Sequence, residues 1–409
     1  MEEEVVVSPR KIVRYEVTKD YLDGKITRAE AASALDISER AMTNLAKKVK
    51  NNGFNGVIHG NKGRVPKNKK PLVMKVKAIR LKKEEYYDFN LMHTLDKFNE
   101  NHKDLTFSYS TFYRWCIKEN IGKYKLNRRK IGSRKLRRRY PQEGYFIQMD
   151  GSEHVWFGEQ ESSLIHMIDD ATGKILAGQF WPSESTLGCL SVLKELIENH
   201  GIPNFIYTDR AGVYGGTKRQ EFSHFESACS ELNIKIIYAN SPQAKGRIER
   251  SNRTLQDRLI AEMRLAGIQN LSEANVFAKS FFKNEWTKHF AVEPENPVPA
   301  LKALPIHKSS KQICSIKIKR EIRRNSTISY QNVVYLLNSK PGDPKISSNS
   351  AELRMYPDGT WSVYVENRLV NLYVAPRNLQ NDTNYMKKIK RGNDDLQITG
   401  IPTPLMKTG

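Results

Sequence analysis

Apolar residues recur at helical spacing through the first third of the chain. Residues 11–52 read as three helices, with Val13, Val17 and Tyr21 on the inner side of the first. Thr27-Arg-Ala-Glu30 has the form of a capping box opening the second. Leu35-Asp-Ile-Ser38 is a short turn, and Ser38 caps a third helix with Met42, Leu45 and Val49 inward. Arg40, Thr43, Asn44 and Lys47 then lie on its outer side. Two short helices around a tight turn predict a helix-turn-helix over 1–60. Residues 61–71, with Gly63, Pro66 and Lys67, Lys69 and Lys70, read as a basic linker. A second helical module follows over 72–122. Val73, Val76, Ile79 and Leu81 begin it, and Phe89, Met92, Leu95 and Phe98 continue it. Its last helix is capped by Ser110 and carries Arg114.

After a basic linker over 123–142 the pattern changes to short β runs alternating with helices. Tyr145–Asp150 is a strand ending in an acid, followed by the breakers Gly151-Ser152. Leu164–Ile168 and Lys174–Phe180 continue as a meander around the turn Asp169-Asp-Ala-Thr-Gly173. Thr186–His200 is helical, Asn204–Asp209 is a fourth strand, Arg219–Leu232 is helical and Ile234–Tyr238 is a fifth strand. A loop with Pro242 and Gly246 then enters a helix whose Ile248, Leu255, Leu259 and Met263 form one apolar stripe. Three antiparallel strands followed by βαβ units predict an α/β ribonuclease-H-like core over 143–290. In that fold the first and fourth strands are parallel neighbours, so Asp150 and Asp209 end side by side. Four prolines mark 291–312 as a linker. Residues 313–375 alternate in β fashion, with Pro357-Asp-Gly359 as a hairpin turn, and predict a small SH3-like barrel. Residues 376–409, with Lys387-Lys-Ile-Lys-Arg391, are expected to be a tail.

Composition narrows the class. With 409 residues the chain has room for about three domains. No apolar run approaches the roughly 20 residues of a membrane-spanning helix, and the acidic start Met-Glu-Glu-Glu lacks a signal-peptide pattern. A cytoplasmic, nucleoid-associated protein is expected. The four cysteines are far apart with no Cys-x-x-Cys, which argues for reduced thiols and against a structural zinc site. The net charge of +22 is split unevenly: +18 over 1–140, −4 over 141–290 and +8 over 291–409. Basic flanks around an acidic centre suit a polyanion held by the flanks and a metal held at the centre. The outer side of the third helix then faces a DNA groove, the second helical module is expected to bind DNA through Arg114, and Arg128, Arg129, Arg137 and Arg138 in the acid-free run 121–140 track phosphates, with Lys67, Lys69, Lys70, Lys245, Arg247, Arg250 and Arg253 as further expected DNA contacts.

Candidate chemistry sits in the centre. Glu249 lies in the first turn of its helix at the edge of the apolar stripe, where the helix dipole favours a carboxylate. Lys245, Arg247, Arg250 and Arg253 surround it with positive charge. Asp150, Asp209 and Glu249 stand in that order, with 39 residues between the last two. Asp169 and Asp170 are rival carboxylates in a turn-forming setting. His154, four residues after Asp150, admits a DNA contact, a water-positioning role or a structural one.

Five segments carry a resemblance: Gln148-Met-Asp-Gly-Ser-Glu-His-Val-Trp-Phe157, Ile168-Asp-Asp-Ala-Thr-Gly173, Pro182-Ser-Glu-Ser-Thr186, Tyr207-Thr-Asp-Arg210 and Asn240-Ser-Pro-Gln-Ala-Lys-Gly-Arg-Ile-Glu-Arg250. In that order they resemble ISNCY-type bacterial insertion-sequence transposases of the retroviral-integrase-like DDE superfamily, most closely over residues 143–290. The chain departs from retroviral integrases in lacking their N-terminal His/Cys zinc module.

The resemblance implies a metal-dependent polynucleotidyl transferase in which Asp150, Asp209 and Glu249 hold two Mg²⁺ ions, with Mn²⁺ as a substitute. It implies cleavage at terminal inverted repeats and joining of the 3′-OH to target DNA. Double-stranded DNA and further copies of the chain, as a homodimer or larger, are the implied partners, with no membrane. Two other readings remain at this point: a catalytically inactive DNA-binding regulator, and a structure-specific nuclease on the same fold.

Overall fold

The structure is a computed structural model that describes residues 9–58, 66, 69–121, 138–208, 223–238, 246–338 and 340–375. The chain divides into two compact units, 1–76 and 77–409.

In the first unit, α1 (Pro9–Leu22), α2 (Arg28–Ala34) and α3 (Glu39–Asn52) pack around Ala31, Met42, Leu45 and Val49. Thr27 and Glu30 close the expected capping box, and Ser38 caps α3 through the N–H of Ala41. The turn between α2 and α3 places Asp36 at φ 51, a left-handed conformation that a short polar side chain tolerates. In α1, Val17 and Tyr21 pack against this core as expected, but the first position of the predicted face does not. Val13 points outward and Thr18 is buried instead, because its hydroxyl donates to Arg14 O at 2.6 Å and so keeps a partner inside.

α4 (Leu72–Glu84) runs across the boundary between the units. Here too the phase differs from expectation: Val73 and Val76 are exposed, whereas Met74, Ala78, Ile79 and Leu81 are buried. Buried Lys82 fixes the end of α4 by donating to the carbonyls of Tyr86 and Phe89 at 2.7 and 2.6 Å. α5 (Leu91–Asn101) buries Leu91, Leu95 and Phe98 and leaves Met92 exposed. α6 (Tyr109–Lys118) starts earlier than predicted, with Ser108 rather than Ser110 at its N-cap position.

The central sheet has the order β3-β2-β1-β4-β5, built from β1 (Phe146–His154), β2 (Ser162–Asp169), β3 (Ile175–Trp181), β4 (Phe205–Thr208) and β5 (Lys235–Tyr238). β1, β2 and β3 are antiparallel neighbours. β1 and β4 are parallel, with Gln148 opposite Tyr207, and β5 pairs parallel to β4. This is the topology expected of a ribonuclease-H-like core. β1 does not stop at Asp150, as the breakers suggested. It continues to His154 because β2 keeps pairing with it, residue for residue, from Ile147 to His154. Gly151 serves that stretch by lacking a side chain: a Cβ there would lie 2.7 Å from the Glu184 carboxylate.

Strand alternation divides the sheet between two cores. Ile147, Met149, Ile165 and Met167 join the buried cluster of α7 (Thr186–Asn199) and α8 (His224–Glu231). Leu164, Ile168 and Phe180 join that of α9 (Ile248–Leu265) and α10 (Leu271–Phe281). The predicted α9 stripe of Ile248, Leu255, Leu259 and Met263 is fully buried. α5 and the loop that leads into it are tied to α9 by complementary charges. Arg264 holds Asp88 with two bonds of 2.7 Å, Arg258 holds Asp96 at 2.8 Å, and Glu262 meets His93 at 2.7 Å and Lys97 at 3.0 Å.

The C-terminal strands are β6 (Ile316–Glu321), β7 (Thr327–Tyr330), β8 (Val333–Leu337), β9 (Ser350–Met355), β10 (Trp361–Val365), β11 (Arg368–Val370) and β12 (Leu372–Val374). They form a sheet of order β11-β10-β9-β6 and a second of order β12-β8-β7; among the described residues no closed barrel forms. The run 327–337 folds into two antiparallel strands because Gln331 and Asn332 both take positive φ, 49 and 62, the conformation of a two-residue hairpin turn. No helix among the described residues is long and apolar enough to cross a membrane. The predicted tail, and most of the linkers at 61–71 and 123–142, lie outside the described residues.

Candidate active site

Three polar rungs set α9 against β1. Gln148 Oε1 accepts from the N–H of Ile248 at 3.3 Å. Asn252 Nδ2 donates to Asp150 Oδ2 at 2.9 Å. Gln256 Nε2 donates to Ser152 Oγ at 3.0 Å. Steps of two along a strand, about 6.7 Å, match steps of four along a helix, about 6 Å, so the two backbones stay in register. Asn252 lies one turn beyond Glu249. Their Cβ atoms are then about 5–6 Å apart on one helix face, the face seated on Asp150.

The two acids differ in surroundings. Asp150 is half-buried and bonded by Asn252. Glu249 is exposed, and its carboxylate makes no hydrogen bond or ion pair to another described residue. Asp209 follows Thr208, the last residue of β4, and lies outside the described residues, as do Lys67, Arg128, Arg129, Arg137 and Lys245.

Other acids of the core are committed elsewhere. Asp169 is fully buried and accepts from Gly144 N at 2.8 Å and from the N–H and hydroxyl of Thr172 at 2.7 Å each; burial pushes its carboxyl up against those bonds. Asp170, also fully buried, accepts from Gln148 Nε2 at 2.8 Å and Tyr140 N at 3.1 Å and meets the Arg247 guanidinium at 3.3 Å. Arg247, expected on DNA, is thus folded onto Asp170. On α9 itself, Asp257 accepts from Asn90. Burial raises the Glu262 carboxyl, but His93 and Lys97 more than offset it and hold it below its usual range. Among the described residues one group of metal-ligand type is found, Glu100, Glu285 and His289; Lys288 already bonds Glu100, and none of the three is a predicted site residue.

Of the remaining predicted contacts, Arg40, Asn44, Lys47, Lys69, Lys70, Arg114, Arg138, Arg250 and Arg253 are exposed. Thr43 is half-buried with its hydroxyl on Glu39 O, and Arg114 Nε donates to Ser110 O. His154 is exposed. Pattern reading missed Asn252 and His166. Asn252 had a signal, since it lies one turn past Glu249. His166 looked like an ordinary residue of an apolar strand; burial pushes its imidazole down to about 4.

No family model matches the chain. The putative transposase y4bF of Sinorhizobium fredii (strain NBRC 101917 / NGR234) is 31% identical to it over 369 residues, covering 88% of this chain and 79% of that protein. The chain belongs to the transposases. The transposase for insertion sequence IS1202 of Streptococcus pneumoniae is 30% identical over 311 residues, 66% of each protein. Among solved structures, this transposase is similar to the HTLV-2 integrase catalytic core domain in complex with magnesium, with TM-score 0.28 and 19% identity over 34% of this chain and 86% of that one. It is also similar to a chain of the simian T-cell lymphotropic virus intasome in complex with the PP2A regulatory subunit B56 gamma, with TM-score 0.34 and 17% identity over 68% and 99%. Superposition at these scores is loose, and the fold of the transposase core stands on its own strand order and register.

Proposed function

We propose that this transposase is a DDE-type polynucleotidyl transferase that cleaves phosphodiesters at the ends of its element and joins the exposed 3′-OH to target DNA. The observation that carries the reading is the Asn252–Asp150 hydrogen bond, which seats the Glu249 face of α9 on the strand that holds Asp150. Asp209 is one peptide beyond the end of β4, the parallel neighbour of β1.

The donor set fits a hard divalent cation. All three residues are carboxylates, no thiolate or imidazole is among them, and Glu249 keeps its oxygens clear of other described residues. Asp150, Asp209 and Glu249 would hold two Mg²⁺ ions, with Mn²⁺ able to replace them; when bound, these supply charge stabilisation for the attacking and leaving oxygens. Asn252 orients Asp150 by taking one of its oxygens. Exposed Arg250 and Arg253 flank Glu249 and receive the DNA backbone.

The exposed side of α3, with Arg40, Asn44 and Lys47, is the reader of the terminal repeats, in a helix-turn-helix formed by α2 and α3. Lys69, Lys70, Arg114 and Arg138 add phosphate contacts, joined by Lys67, Arg128, Arg129, Arg137 and Lys245. The C-terminal sheets contact DNA or a second subunit, and the working form is a homodimer or larger.

The test incubates the full chain with duplexes carrying the ends of the DNA segment that encodes it, target plasmid and Mg²⁺. Joined products are expected from the wild type and not from Asp150→Asn, Asp209→Asn or Glu249→Gln, all of which keep end binding. Cleavage without joining would favour a structure-specific nuclease. Binding with neither would favour an inactive regulator.

A further inference from the structure

α9 begins without a cap of its own. Arg247 precedes it in helical conformation, with no side-chain hydrogen bond to the helix N–H groups. The sheet supplies what is missing. Gln148 takes the N–H of Ile248, and its own amide nitrogen is fixed by Asp170. A second tether runs through Ser251. Its Oγ lies 2.7 Å from Ile248 O and 3.1 Å from His166 Nε2.

Distance assigns the direction of these bonds: Ile248 O is the nearer partner of the Ser251 hydroxyl. Ser251 has one hydroxyl proton, and the Ile248 carbonyl only accepts, so that proton points to Ile248 O. With that proton so assigned, His166 Nε2 is the donor to Ser251 Oγ, which corresponds to the Nε2–H tautomer. His166 is 0% exposed and Ser251 4%, so solvent does not replace this bond if it is lost.

The placement is what gives the tether meaning. His166 is the direct partner of Asp150 in the antiparallel register of β1 and β2, so both side chains leave the same face of the sheet. Ser251 and Asn252 are adjacent on α9; one meets His166 and the other meets Asp150. Glu249 stands two residues before Ser251.

We propose that His166 is a positioning residue of the transposase: by donating to Ser251 it fixes the first turn of α9, and with it the placement of Glu249 relative to Asp150. This rests on the reading of Asp150 and Glu249 as metal ligands given above. His166 is buried and acts only through Ser251.

Three full-length variants test it. His166→Gln returns an amide donor near the position of Nε2. His166→Leu removes the donor at similar volume. Ser251→Ala removes the receiving hydroxyl and leaves the sheet untouched. Joining of duplexes carrying the ends of the encoding DNA segment is measured at saturating DNA across a Mg²⁺ series. Mg²⁺ binding without DNA is followed by calorimetry, and amide hydrogen exchange over residues 248–252 is followed in metal-free protein. For His166→Leu and Ser251→Ala, the joining rate and Mg²⁺ affinity are expected to fall about 10–100-fold, the range found when partners that orient metal ligands are removed. Exchange over the first turn speeds up in both, and DNA affinity stays at the wild-type value. His166→Gln is expected to restore most of the rate and the slow exchange.

Equal losses in His166→Gln and His166→Leu would overturn the proposal, as would wild-type rate, Mg²⁺ affinity and exchange in Ser251→Ala. If His166→Leu does not fold, Ser251→Ala decides. Asp150→Asn runs beside them: wild-type joining by that variant sinks the metal-ligand reading and this inference with it. An inactive Asp150→Asn beside a wild-type Ser251→Ala sinks the positioning role alone.

Discussion

Two acids on α9 should fail in opposite ways, and Glu262→Ala is the sharper test. The Glu262 side chain is 7% exposed, with His93 Nε2 at 2.7 Å and Lys97 Nζ at 3.0 Å. At an effective dielectric of about 20, the Lys97 contact alone is worth about 5 kcal/mol before desolvation. Much of that is cancelled by the cost of burying the charges. What decides the mutant is what it leaves behind: a His93 side chain 3% exposed and a Lys97 side chain 18% exposed, both without their acceptor. Removing one partner of a buried pair costs about 3–5 kcal/mol. At about 2–4 °C per kcal/mol, the melting midpoint of the full chain should fall on the order of 10 °C. The coupling to His93→Ala in a double-mutant cycle should exceed about 1 kcal/mol, because the two side chains touch. Joining at low temperature should survive, since Asp150 and Glu249 are not altered. The assay is a thermal melt beside a strand-joining gel on the same preparations. A Glu262→Ala protein that melts like the wild type but has lost joining would refute the reasoning and make Glu262 the acid of the site.

Asp169→Asn should lose about 1–3 kcal/mol of stability in a urea titration, because the amide nitrogen meets one of the donors that Asp169 accepts from Gly144 and Thr172, yet it should keep joining. Wild-type stability would contradict the bonding described. Binding to element ends should weaken about 10³–10⁵-fold between about 50 and 200 mM salt if the basic flanks contact about 6–10 phosphates; a flat response would remove the flanks from DNA. Stability should also depend on pH through His166, held at about 4 by burial against 6.5 in the ordinary range. Above about pH 6.5 both states are neutral and the contribution is intact. As pH falls toward 4 the unfolded chain takes up a proton that the folded chain refuses, and stability drops by about 2 kcal/mol at pH 5. His166→Gln should remove that part of the slope in melts at pH 7 and 5; an unchanged slope would show that His166 is not its source.

Short-range pattern determined much of this transposase. The α9 stripe, the Thr27–Glu30 box, the Ser38 cap and the sequence of strands and helices through the core follow from local periodicity and capping chemistry, because each depends on neighbours within a turn or two. Where pattern reading went astray, a distant partner had changed the local balance. β1 runs past Gly151-Ser152 because β2 supplies its hydrogen bonds and Glu184 fills the space over the glycine. Thr18 turns inward ahead of Val13 because its hydroxyl finds Arg14 O. The acids show the division most clearly. Asp150, Asp169, Asp170, Glu249, Asp257 and Glu262 are alike as letters in a sequence. Only the tertiary structure separates them: Asp169 and Asp170 are saturated by buried donors, Asp257 and Glu262 are spent on α5, and Glu249 is left exposed beside the strand of Asp150. A carboxylate's role is set by which donors surround it, and those donors come from residues up to 169 positions away in the chain.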